Sequence, residues 1–175
     1  MRVINSKISR FIFYVSILFS IALVFQCFVF GASDATEEQL IIEGDNAILS
    51  EEEQEILNLI NKERKQNGLD ELQAYSGLQR VAKLKAEDIV NNKYFSHTSP
   101  TFGSTFEMLK QEGVRYKCAG ENLAGNETSV KAVNAWMNSP AHRDNILDID
   151  YEYTGICVID SEIYGKVYVQ LFMGV

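Results

Sequence analysis

Grouped basic residues, histidine, proline, cysteine and internal repeats are what this chain has least of. Its 16 Lys and Arg face 24 Asp and Glu, for a net charge of −8. Nucleic-acid backbones are bound by clustered Lys and Arg, and none cluster here, so a nucleic-acid partner is excluded. No segment recurs at a fixed period, which excludes solenoids and repeat arrays. Three cysteines are too few for a disulfide-dense scaffold. A hydrophobic content of 46% and a charged content of 23% are those of a globular chain that buries its own core. Scarcity also singles residues out. The only two histidines are His97 in "YFSHTSP" and His142 in "NSPAHRDNILD", and each lies within three residues of one of the only two prolines, Pro100 and Pro140.

The N-terminus stands apart. "MRVINSKISR" carries three positive charges and no acid, and the 20 residues of "FIFYVSILFSIALVFQCFVF" carry no charge at all. The small residues Gly31, Ala32 and Ser33 follow. Residues 1–31 are therefore expected to form a secretory signal peptide or an uncleaved N-terminal membrane anchor. Gln26 is not small, which argues against a lipoprotein site at Cys27. Either reading puts the remainder outside the cytoplasm, secreted or tethered to the outer face of the membrane. Residues 32–48 are acidic and aperiodic and read as a flexible lead-in. An acidic mature chain repels anionic wall polymers or membranes unless a cation mediates. With Cys27 in the export segment, Cys118 and Cys157 remain as a pair in an oxidising compartment. A disulfide is the default reading, two buried thiols the alternative.

Residues 49–175 read as one domain. Capping boxes are expected at Ser50 with Glu53, Ser76 with Gln79 and Ser104 with Glu107, each opening a helix. Thr128 or Ser129 caps a fourth, with Val130, Val133 and Met137 on one face and Ala132 and Trp136 beside it. Strands are expected at 114–119, 153–159 and 167–173, with 160–166 as a hairpin loop. Cys118 and Cys157 then sit on two strands of one sheet. The order of elements points to an α+β layered domain with an antiparallel sheet.

"YFSHTSP", "AGENLAG", "AWMNSPAHRDNIL", "YTGICV" and "VYVQLFM", in this order, resemble bacterial CAP-domain proteins. This is the SCP-like superfamily named for cysteine-rich secretory proteins, antigen 5 and pathogenesis-related proteins. The resemblance implies an α-β-α sandwich around a central three-stranded antiparallel sheet. It also implies a cleft with a tetrad of two His and two Glu, which in some members holds a divalent metal. His97 and His142 match the two histidines and Glu121 the first glutamate. The second glutamate falls three residues after Trp136, where this chain has Ser139.

His97, Glu121 and His142 would form a His₂Glu set suited to Zn²⁺, with a fourth position open to water that Ser139 could order. The plainer reading is that both histidines hydrogen-bond in a polar cleft and Glu121 neutralises them. Asn122 reads as architectural, bonding backbone groups in a turn, and Trp136 as core. Arg143 and Asp144 read as a surface pair. Neither a Cys118–His nor a Ser139–His142 nucleophile has a legible oxyanion hole or orienting acid. The expected function is a non-catalytic extracellular module, monomeric, binding an unknown ligand or protein partner; sterol or lipid binding and host interaction are proposed roles in the wider family. The alternative is a metal-dependent hydrolase of envelope peptide or glycan, and a purely structural spacer is a third reading.

Overall fold

The computed structural model describes residues 47–175. The export segment and residues 32–46 of the lead-in fall outside the described residues. The elements are α1 (Glu51–Gln66), β1 (Gln73–Ala74), α2 (Ser76–Asn91), β2 (Thr98–Ser99), β3 (Gly103–Ser104) and α3 (Thr105–Gln111). There follow β4 (Cys118–Asn126), α4 (Ser129–Asn138), α5 (Pro140–Ile146), β5 (Tyr153–Ser161) and β6 (Gly165–Gly174). The expected capping boxes open α1 and α3: Ser50 and Ser104 each accept from the third helical amide, and Glu53 and Glu107 reach back to the cap amides. Thr128 caps α4 through the Lys131 amide.

The main sheet has the order β1-β5-β6-β4. β4, β5 and β6 are antiparallel. They are the three strands expected, extended by the two-residue β1, which runs parallel to β5. β2 and β3 form a separate small ladder. β6 lies between β5 and β4 and is largely apolar because both of its faces are covered. Val167, Val169, Leu171 and Met173 meet Leu78, Val81, Ile89, Met108 and Leu109 of α2 and α3. Tyr168 and Phe172 meet Ile56, Ile60, Val133, Trp136 and Ile146 of α1, α4 and α5. This two-sided core is the α-β-α sandwich. α2 lies so close to β5 that a Cβ at Gly155 would stand 2.3 Å from the Leu78 carbonyl carbon.

Several local expectations shift. The strand expected at 114–119 begins only at Cys118 and runs to Asn126, so "GEN" lies inside β4 rather than in a turn. Gly113 takes a left-handed φ of 72° and the Val114 amide bonds Leu109, closing α3 before the chain reaches its partner strand. Val114 and Tyr116 therefore pack on one core and Cys118 on the other. No capping box forms at Ser76, because the Gln79 side-chain amide brackets the Ile156 backbone instead, at 2.5 and 2.9 Å. The buried face of α4 is Ser129, Ala132, Val133 and Trp136, with Val130 exposed. α5 has no counterpart among the expected elements. Pro140 sits at its first turn, where the missing N–H costs nothing.

The expected disulfide is absent. Cys118 and Cys157 are both free. They lie on β4 and β5, which are separated by β6. They are out of register, Cys118 opposite Gly174 and Cys157 opposite Val169. They also pack on opposite faces of the sheet. A bridge needs Cα atoms within about 7 Å, which this register forbids. Burial pushes the Cys157 thiol up to about 12.

The loop from α5 to β5 is irregular and is held by one guanidinium. Arg64 of α1 is buried and donates to the carbonyls of Asp70, Ile146, Asp148 and Tyr151 at 2.7–3.0 Å. Burial lowers its pKa, and Asp148 and Asp70 oppose that. Arg64→Met is expected to destabilise the domain by about 3 kcal/mol, because four buried or half-buried carbonyls lose their donor; urea unfolding reads the loss. Reduction with dithiothreitol is expected to leave the unfolding midpoint unchanged, and a native thiol titration to label Cys118 before Cys157.

Candidate functional site

α2 ends in a way that launches the first histidine loop. The Lys93 amide bonds Val90 and the Tyr94 amide bonds Ile89, and Lys93 itself takes a positive φ of 53°. This is a Schellman termination with lysine where glycine is the easier residue. The loop then wraps around Asp88. Its carboxylate accepts from Asn92, Tyr94, Ser99 and Thr101 at 2.5–2.7 Å. Burial acts to raise the Asp88 pKa, but these hydrogen bonds outweigh it and hold the group below its usual 3.8. Burial and the bond to Asp88 push the Tyr94 hydroxyl well above 10.0. One turn earlier, the ammonium of Lys85 is fully buried and donates to the His97 carbonyl at 2.8 Å. It also lies 5.3 Å from the centre of the Tyr94 ring. Burial lowers its pKa, against the pull of Glu121 and Asp88.

The His97 ring meets β4. Its Nδ1 donates to Glu121 Oε1 at 2.6 Å, and Thr105 Oγ1 donates to Oε2 at 2.6 Å. The Glu121 side chain is 5% exposed and the His97 side chain 63%. Thr105 is the first residue of α3, set there by the Ser104 cap. Both carboxylate oxygens therefore hold partners, and the imidazole is presented outward with Nε2 free of them.

Asn122 faces the other way and is fully buried. It donates to the His142 carbonyl at 3.0 Å and accepts from Asn145 at 2.9 Å. Asn145 also reaches the Glu121 carbonyl at 3.3 Å, so it covers the outer edge of β4. Asn122 thus ties a strand to a helix rather than closing a turn. His142 is half-buried on α5, and its pKa is lowered by burial and then by His97. Ser139 ends α4 and begins α5; its hydroxyl makes no cap and no bond to His142 among the described residues. Trp136 is core, with its Nε1 donating to the Leu123 carbonyl at 3.0 Å. Arg143 and Asp144 do not pair with each other among the described residues.

His97 and Glu121 are joined directly, whereas His142 is tied to β4 only through its backbone carbonyl, which accepts from Asn122. They do not stand as a ready ligand set. Among the described residues no group of three His, Cys, Asp or Glu is placed to hold a metal ion. The existing 2.6 Å bond between His97 and Glu121 must break before Nδ1 and Oε1 can face one cation. What the cluster does as it stands is fix one exposed imidazole against a desolvated carboxylate.

Sequence reasoning missed Lys85, Asp88 and Thr105. The signal for the first two is in the helix pattern: Lys85 and Asp88 occupy buried positions of α2 beside Ala82, Ala86 and Ile89. A charge in an apolar stripe calls for a partner. Asp88→Asn is expected to lower stability at neutral pH by about 2 kcal/mol. Because the native pKa is depressed, the stability Asp88 confers is complete above the unfolded value and is lost as pH falls through the native one. The acid limb of the wild type, below about pH 4, is therefore expected to flatten in Asp88→Asn; thermal melts across pH check this.

Comparison with known proteins agrees with this architecture. The description "Cysteine-rich secretory protein family" (CAP) matches residues 57–172. The uncharacterised Bacillus subtilis protein YkwD is 42% identical over 123 residues, 70% of this chain and 47% of that protein. The uncharacterised B. subtilis membrane protein YlbC is 36% identical over 67% of this chain and 34% of its own length. The chain thus spans about half or less of these two relatives. The structure of a Bacillus anthracis extracellular protein containing an SCP domain superposes with a TM-score of 0.66 at 31% identity, over 80% of this chain and 44% of that one. An outer surface protein of Borrelia burgdorferi gives 0.65 at 26% identity, over 74% of this chain and 98% of that one. With the family description matched over most of its length, a relative 42% identical and the same sandwich fold, the chain belongs to the CAP, or cysteine-rich secretory protein, family.

Proposed function

We propose that the domain is a non-catalytic binding module of the outer cell surface or surrounding medium, and that His97 is the centre of its contact with a ligand or protein partner. The observation that carries this reading is that both oxygens of Glu121 are engaged by its neighbours. A nearly buried carboxylate whose two oxygens are taken by His97 and Thr105 is an orienting group. The exposed His97 ring is what is offered to a partner. A held imidazole loses little entropy on binding. The location is supported by the charge-then-apolar layout of residues 1–31 and by the extracellular and outer-surface proteins this chain resembles.

Neither of the two nucleophiles considered from the sequence is poised at the His97 or His142 ring among the described residues. The Cys118 thiol packs on the opposite core and burial raises its pKa. Ser139 does not bond His142. A Zn²⁺ ion held by His97, Glu121 and His142 would need the present hydrogen bonds rearranged, and its role would be to draw the two histidines together.

Purified protein is expected to bind isolated cell envelopes saturably, and His97→Ala to weaken that binding about tenfold, or about 1.4 kcal/mol, measured at a temperature where the variant, which leaves Glu121 Oε1 without its partner, is still folded by circular dichroism. Release of soluble peptide or sugar by the wild type, abolished in His97→Ala, would decide instead for the hydrolase.

A further inference from the structure

A groove of about 590 Å³ opens between the outer face of α3 and the connection that precedes β4, lined chiefly by Phe106, Glu107, Lys110, Val114, Arg115 and Tyr116. That volume falls within the range of about 300–1,000 Å³ typical of ligand sites. We propose that this groove docks an extended acidic peptide segment of a partner protein, one that alternates apolar and carboxylate side chains.

Three independent features point to that chemistry. The wall is aromatic and open to solvent: Phe106 is 52% exposed, and its ring lies 6.4 Å from that of Tyr116. Such a wall takes an apolar side chain and excludes water around it. Lys110 and Arg115 join no ion pair among the described residues, in a chain whose net charge is −8. They form a local cationic rim suited to carboxylates. The one acid of the groove, Glu107, is turned to the helix start, where its Oε2 accepts from the Ser104 amide and hydroxyl. Finally, the Arg115 and Tyr116 amides donate to no carbonyl among the described residues, whereas the next amide, Lys117, is taken by Gly174 at 2.8 Å. An unpaired N–H on a groove-lining residue is a donor that a bound peptide's backbone carbonyl can take. A polyanion without apolar groups would match the rim and leave the aromatic wall unused.

The groove does not include His97 or Glu121, so it stands independently of the function proposed above. The probe is a fluorescein-labelled pentapeptide, Glu-Phe-Glu-Leu-Asp, titrated into the purified protein by fluorescence anisotropy. Its charge-reversed counterpart Lys-Phe-Lys-Leu-Lys and the apolar-stripped Glu-Ser-Glu-Ser-Asp serve as controls. Saturable binding of the first alone is expected. It is expected to weaken at least tenfold in Phe106→Ser and in Lys110→Glu/Arg115→Glu, both of which change exposed side chains. His97→Ala is expected to bind the peptide unchanged, and bound peptide to slow hydrogen exchange at the Arg115 or the Tyr116 amide. Equal binding of the charge-reversed or stripped peptide overturns the proposal. So does displacement by an equimolar polyphosphate of matched charge, or exchange that does not change at residues 115–116.

Discussion

Two consecutive residues of an edge strand carry the organisation of this domain. In a β-strand neighbouring side chains point to opposite faces, so Glu121 and Asn122 of β4 address different layers. Glu121 meets His97 and Thr105 on the side of α2 and α3. Asn122 meets the His142 carbonyl and Asn145 on the side of α5. Both are polar groups taken out of water, and each is tolerable only because its hydrogen bonds are made. The strand thereby becomes the common reference for two segments that are distant in sequence. Its outer edge, which would otherwise invite pairing with another chain, is covered at Glu121 by the Asn145 amide.

Buried charge recurs wherever the chain is irregular. Arg64 binds four carbonyls around the α5–β5 connection, Lys85 binds the His97 carbonyl, and Asp88 gathers four donors from the loop after α2. Loops lack ladders for their own backbone groups, so side chains must satisfy them. Desolvating an ion costs several kcal/mol, in the range of about one large core substitution, and only full hydrogen bonding offsets it. These three residues are therefore the reason that non-regular segments hold fixed positions, and those segments carry the exposed imidazole. The absent disulfide fits the same logic. With ions bracing its loops and two continuous cores on its sheet, the domain does not depend on a covalent brace.

The regular part of this architecture is legible in the chain. The Ser50 and Ser104 capping boxes, the apolar β6 run and the buried Trp136 are written in local spacing, and local spacing is what propensity reads. What escapes it is non-local. Gln79 has a partner three residues away in the capping pattern but bonds Ile156 instead, because β5 passes so close that Gly155 has no room for a Cβ. Cys118 and Cys157 share a sheet and are still unable to bond, since β6 separates them and alternation sends them to opposite faces. α5 is hidden because Ser-Pro reads as a loop until the proline is recognised as the first residue of a helix. The convergence of His97 and Glu121 on one cleft is what the family resemblance implies, not what spacing shows, while Lys85, Asp88 and Thr105, which hold that pair in place, have no short-range signature.

α3 shows how little chain is needed to define two surfaces. It is seven residues long, fixed at one end by the Ser104–Glu107 box and at the other by left-handed Gly113. Successive helical positions are rotated by about 100°, so Thr105 can turn inward to Glu121 while Phe106 turns outward to solvent. The rest of the helix repeats the division: Met108 and Leu109 are buried and Lys110 is exposed. A shift of either cap by one residue would move Thr105 off the carboxylate and carry Phe106 toward the core. The capping box therefore does more than start a helix. It sets the rotational phase on which both the polar centre beneath and the aromatic groove outside depend.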